Sequence, residues 1–90
     1  INPITEIKSL PGHWFTINKI LVLYQKYILT TSRDKTFRIW EKESLSLLKS
    51  VDFAKDGHIN SVNSALFLKD SDLIATCSDD RSIILWKISE

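Results

Sequence analysis

Strand-rich repetition is what this sequence points to: an all-β chain made of two copies of one unit. Three observations carry that reading. Gly12-His13 opens a stretch that closes on Arg38-Ile39-Trp40, and Gly57-His58 opens another that closes on Ile84-Leu85-Trp86. The two histidines stand 45 residues apart and the two tryptophans 46, a period typical of repeat architectures. Between them Thr30-Thr31-Ser32-Arg33-Asp34-Lys35-Thr36 returns as Thr76-Cys77-Ser78-Asp79-Asp80-Arg81-Ser82.

The elements follow in order. An outer strand is expected at 4–10, before the first Gly-His. Ile17, Ile20 and Val22 then predict a strand over about 15–23, and Val62, Ala65 and Phe67 its counterpart over 61–68. Apolar, β-branched runs ending in polar turns predict strands at 27–32 and 73–78. Arg33-Asp34-Lys35 and Asp79-Asp80-Arg81 form short turns, since an Asp carboxylate bonds its own following amides. They lead into strands at 36–40 and 82–86. A further outer strand is expected at 45–51. The stretch 44–53 also admits a helix, with Leu45, Leu48 and Asp52 on one face, because short apolar runs are ambiguous by period alone.

Composition narrows the function. Hydrophobic residues make up 43% of the chain, enough for a packed core, and 26% charged residues balance to +1. With no basic stripe to neutralise phosphates, a generic nucleic-acid binder is disfavoured. No apolar run approaches a membrane span and nothing resembles a signal peptide, so no membrane partner is expected. The single cysteine, Cys77, cannot close an internal disulfide, which is compatible with a reducing, intracellular compartment. Placed on an inner strand, Cys77 is expected to be a small buried hydrophobe. His13, His58 and Cys77 lack any paired C-x-x-C spacing, so neither a metal nor a cofactor is expected.

Taken together, these residues resemble the WD-repeat family of β-propellers: Gly-His, about 27 residues, then a tripeptide ending in Trp, with Asp six residues before it. The resemblance spans nearly the whole chain and occurs twice in register. The departures are mild. Glu41 and Lys87 follow the two tryptophans, so the dipeptide that names the family is missing, and Lys35 or Arg81 replaces the glycine often found after the turn Asp. The resemblance implies four-stranded antiparallel blades in the strand order d-a-b-c-d-a-b-c. Residues 1–90 then form one propeller segment: outer strand 4–10, repeat one 12–41, outer strand 45–51 and repeat two 57–87. It also implies a buried polar tetrad per blade, His13, Thr30, Asp34 and Trp40, then His58, Thr76, Asp80 and Trp86. A His, a hydroxyl and an Asp are also the members of a catalytic triad. Yet the set occurs in both copies, as an architectural part would, and no G-x-S-x-G elbow is present. No catalytic residue is therefore assigned.

The resemblance further places the partner-facing positions: Thr16, Asn18 and Arg33 in the first repeat, Ser61, Asn63 and Asp79 in the second. Trp14, whose counterpart is Ile59, is either apolar cover at a blade edge or a partner-facing anchor. Propellers close with about four to eight blades. Two blades alone are expected to leave outer faces bare, with Leu21, Leu23, Ile74 or Leu85 on them. The chain has no Met, and its last blade lacks an outer strand. It is therefore read as a segment of a longer chain, or as one of several copies joined head to tail, each lending a strand to the next. The function expected is a non-catalytic scaffold for protein partners. The alternative is an enzyme, or a small-ligand or phosphopeptide binder, at the channel mouth.

Overall fold

A computed structural model describes residues 4–89. Seven strands form two antiparallel sheets. The first takes the order β1 (Ile17–Leu23), β2 (Tyr27–Ser32), β3 (Phe37–Glu41), β4 (Leu47–Val51), and the second β5 (Val62–Leu68), β6 (Leu73–Ser78), β7 (Ile83–Lys87). Each sheet is a meander of neighbouring hairpins, and β1 and β2 pack against β5.

Two sequence expectations are corrected along the backbone. Residues 4–10 are exposed and form no strand. A strand exists only by pairing. The counterpart of this segment, β4, pairs with the third strand of the sheet before its own Gly-His, and no such sheet precedes Gly12 among the described residues. The outer strand expected at 45–51 begins at Leu47, because Leu45 has φ 57° and belongs to a turn. That turn is organised by Glu41, whose carboxylate accepts the amides of Ser44 at 2.7 Å and Glu43 at 3.2 Å. The helix considered for 44–53 does not form; only a 3₁₀ turn, Phe53–Lys55, follows β4.

The core lies between the sheets. Leu23, Leu29, Phe37 and Val51 of the first meet Val62, Ala65 and Ile74 of the second. Phe37 packs edge-on to Trp86 at 5.0 Å between ring centroids, and Tyr24 does the same to Phe67 at 5.1 Å. Each such large apolar side chain contributes about 2 kcal/mol by leaving water. Leu23 and Ile74, expected on bare outer faces, are thus fully buried, and Leu21 is half-buried. Their place in the strand turns them toward the partner sheet. Leu85 is exposed as expected, and the bare faces otherwise carry Ile17, Ile20 and Val22 on one side and Leu66 and Ile83 beside Leu85 on the other. Phe37 is 2% exposed, whereas its equivalent Ile83, with no sheet beyond it, is 74% exposed. Cys77 is half-buried rather than buried for the same reason; its equivalent Thr31 is covered by the second sheet.

Turns are made without glycine. Tyr24, Gln25, Lys35, Leu45, Asp56, Asp72 and Arg81 all adopt left-handed backbone, with φ between 53° and 76°. Gly57 serves close approach instead. A Cβ there would lie 2.5 Å from the carbonyl oxygen of Asp52, which already accepts the Gly57 amide at 2.7 Å.

Candidate functional site

Both sheets carry their histidine and turn aspartate at one end, where β1 and β5 begin and the β2–β3 and β6–β7 turns lie. Here the loop before β1 brings His13 against β2 and the following turn. His13 Nδ1 lies 2.8 Å from Asp34 Oδ2 and Nε2 lies 2.6 Å from Thr30 Oγ1, which also accepts Trp40 Nε1–H at 2.9 Å. The second copy repeats this. His58 Nδ1 is 3.0 Å from Asp80 Oδ2, Nε2 is 2.8 Å from Thr76 Oγ1, and Trp86 Nε1–H reaches Thr76 Oγ1 at 2.9 Å.

Donor chemistry fixes the direction of the chain. A carboxylate only accepts and an indole only donates. With the imidazole neutral, Nδ1–H donates to Asp, Nε2 accepts the threonine hydroxyl, and that hydroxyl accepts the indole. Every member is satisfied. Burial, the largest influence on His13, disfavours its cation and holds its pKa below the ordinary imidazole value despite the nearby Asp34. For Asp34, burial pushes upward but is outweighed by hydrogen bonds from Thr36, His13 and the Trp14 amide, leaving the carboxyl below its usual range. Asp80 is held well below that range, chiefly by the Ser82 hydroxyl, with further bonds from the Ser82 amide, His58 and the Ile59 amide.

A fifth member in each copy escaped the sequence reading. The Thr36 hydroxyl donates to Asp34 Oδ1 at 2.6 Å and lies 3.2 Å from His13 Nδ1; Ser82 does the same with Asp80 and His58. The signal was present, since a hydroxyl residue follows each turn Asp by two positions.

The partner-facing candidates sit on the same end but divide in two. Both strand starts carry a register irregularity, at Asn18 in β1 and Asn63 in β5, and such bulges re-aim a side chain. Asn18 Nδ2 reaches across to Val62 O at 3.0 Å and to Ser61 Oγ at 3.4 Å. Ser61 Oγ then donates to Asn63 Oδ1, and Asn63 Nδ2 to Asp79 Oδ1, both at 2.8 Å. Asn18, Ser61, Asn63 and Asp79 therefore form one bonded row. Thr16, Arg33 and Trp14 are exposed and stand apart from it. At the opposite end the Tyr24 hydroxyl bonds Asp72 across the sheets, a link with no motif to announce it. No cluster of three potential metal ligands occurs among the described residues.

The WD domain, G-beta repeat family model matches residues 4–41 and 47–87. The chain is 34% identical over 92 aligned positions to Nuclear distribution protein PAC1 of Candida tropicalis, covering 99% of this chain and 18% of that protein. It is 38% identical over 64 positions to WD repeat-containing protein 37 of Homo sapiens, covering 71% of this chain and 12% of that one. To Ribosome biogenesis protein ytm1 of Emericella nidulans it is 36% identical over 66 positions, 73% of this chain and 13% of the relative. The chain thus spans less than a fifth of the length of these curated relatives. WD repeats serve in general as protein-interaction scaffolds. With two units matched in register and both His–Asp–Thr–Trp networks in place, the chain belongs to the WD-repeat family.

Proposed function

We propose that this chain supplies two blades of a non-catalytic propeller scaffold and presents its histidine end to protein partners. One observation carries the reading: the His–Thr–Asp–Trp set common to both copies is bonded within each blade, while the turn residue that differs most, Arg33 against Asp79, is exposed in both. The polar atoms of His13, Asp34 and Trp40 are all engaged, and the Thr30 hydroxyl that joins them is buried. Thr16, Arg33 and Trp14 of the first blade, and the Ser61–Asn63–Asp79 row of the second, face solvent in part or in full. Catalysis by the triad-like set is disfavoured by the position of Thr30 and Thr76. Both hydroxyls are buried and already accept an indole N–H.

The two bare apolar faces support a larger array, since each has an equivalent that a neighbouring blade covers. Further blades come from the same longer chain or from other copies of it, and native mass of the full protein separates these. The scaffold reading is tested by cross-linking the full chain to its bound partners. Cross-links concentrated at residues 14–18, 33, 61–63 and 79 are expected. Cross-links confined to the outer strands and the opposite end would overturn it.

A further inference from the structure

The two repeats act as controls for each other. Ile17, Ile20 and Val22 are exposed, but their equivalents Val62, Ala65 and Phe67 are covered by the first blade. A blade packed on that face would cover them in the same way. Trp14 and Phe15 behave differently. Trp14 is 83% exposed with the following blade in place, and its equivalent Ile59 is 51% exposed with the preceding blade in place. Phe15 is 65% exposed, and its equivalent Asn60 is exposed too. No adjoining blade on either side covers these two positions, so the aromatic pair stays at the surface of an extended array. Adjacent exposed aromatics of this kind mark interaction sites.

What lies beside them sets the chemistry. The Trp14 amide donates to Asp34 Oδ2 at 3.1 Å and the Arg33 amide to Thr16 O at 3.0 Å, holding residues 14–16 against the 33–35 turn. Arg33 and Lys35 are exposed there, while the carboxylate of Asp34 between them is occupied by His13, Thr36 and the Trp14 amide. The turn therefore shows two cations and no available anion. In the second copy the same turn shows Asp79 and Arg81, whose charges cancel. Only the first blade combines exposed aromatic surface with a positive turn.

We propose that Trp14, Phe15, Arg33 and Lys35 form a docking site for an acidic peptide segment. Its carboxylates meet the two cations, Arg33 in bidentate fashion, and an apolar residue between them lies on the aromatic pair. This deepens the scaffold reading and rests on it.

The test uses the full chain carrying these repeats and a fluorescent peptide alternating Glu and Gly around a central Phe-Leu pair. Companion peptides carry Gln or Lys in place of Glu. The Glu peptide is expected to bind, and to weaken as salt rises. Trp14→Ala, and separately the pair Arg33→Glu with Lys35→Glu, are expected to weaken it at least about tenfold. Ile59→Ala and Arg81→Glu in the second blade are expected to change it less than about twofold. Urea midpoints confirm folding of each variant, and Phe15→Ser replaces Trp14→Ala if that midpoint drops. Absent binding of the Glu peptide overturns the docking site, while cross-links at the histidine end would leave the scaffold reading standing. Equal binding of the Gln peptide overturns the acidic class, and weakening of that binding by Trp14→Ala would leave the scaffold reading standing. Peptides that bind but respond to no substitution at the histidine end overturn both.

Discussion

Asn18 of the first blade donates from Nδ2 to the main-chain carbonyl of Val62 in the second, 3.0 Å away. A bulge in β1 aims it there, and Val62 is itself fully buried in the core between the blades. The joint is therefore stitched by a side chain at one end, by Tyr24 and Asp72 at the other, and by apolar packing between.

Asn18→Ala is expected to lower stability by about 1 kcal/mol, the net worth of a neutral hydrogen bond. Asn18→Asp is expected to cost more, since a carboxylate would oppose a carbonyl, acceptor against acceptor. Urea unfolding at unchanged slope checks the order; equal midpoints for Asp and Ala would show that the bond does not hold the joint.

Neighbouring threonines should respond in opposite directions. Thr30→Val strands the Trp40 indole and His13 Nε2 together, a loss of about 2–4 kcal/mol from two unsatisfied groups. Thr31 is fully buried and its hydroxyl has no partner among the described residues. Thr31→Val is expected to raise stability by about 1 kcal/mol, since it removes an unmatched hydroxyl and suits a strand. His13→Ala and Asp80→Ala are expected to fall on the destabilising side with Thr30→Val. A calorimetric series across these four variants measures it, and a Thr30→Val protein as stable as the parent would argue against the tetrad as a stabilising unit.

Acid should weaken the fold in two stages. Burial keeps the folded His13 neutral below its ordinary range. As pH falls past about 6.5 the unfolded chain therefore binds a proton that the folded chain does not. Asp34 and Asp80 are held low in the folded state, so their contribution is complete above about pH 4 and is lost as pH drops further. Urea midpoints from pH 8 to pH 3 report both stages. A midpoint that rises between pH 7 and pH 5 would contradict the first.

The two glycines should tolerate alanine unequally. At Gly57 a Cβ meets backbone of Asp52 at 2.5 Å, and backbone cannot swing aside; about 2 kcal/mol of destabilisation is expected. At Gly12 the nearest atoms are side-chain carbons of Trp40 and Ile17 at 3.5 and 3.7 Å, ordinary contact distances. Gly12→Ala is expected to leave the midpoint nearly unchanged. Thermal unfolding of the pair decides it.

The strands that hold the site were legible because their apolar runs and turn residues act locally: β2 and β6 match the expected 27–32 and 73–78 to the residue. Residues 4–10 carry the same apolar character yet form no strand, since pairing depends on an edge that local sequence does not supply. Inward and outward faces were misjudged at Leu23 and Ile74 because both faces of these blades are apolar, and only the packing of the sheets distinguishes them. The division among the candidate residues at the histidine end was hidden for a related reason. Whether Asn18 points to solvent or to Val62 is decided by a bulge, which leaves no mark in the residue types.

The turns built without glycine reveal a protein short of its attainable thermal endurance. Left-handed backbone costs an ordinary L-residue about 1–2 kcal/mol, and natural chains need only stay above a functional threshold. Gln25 and Leu45 hold that conformation at φ 56° and 57°, both in hairpin turns at the end opposite the histidines. Glycine or asparagine at these two places offers a route to a hardier fold that leaves the histidine end untouched.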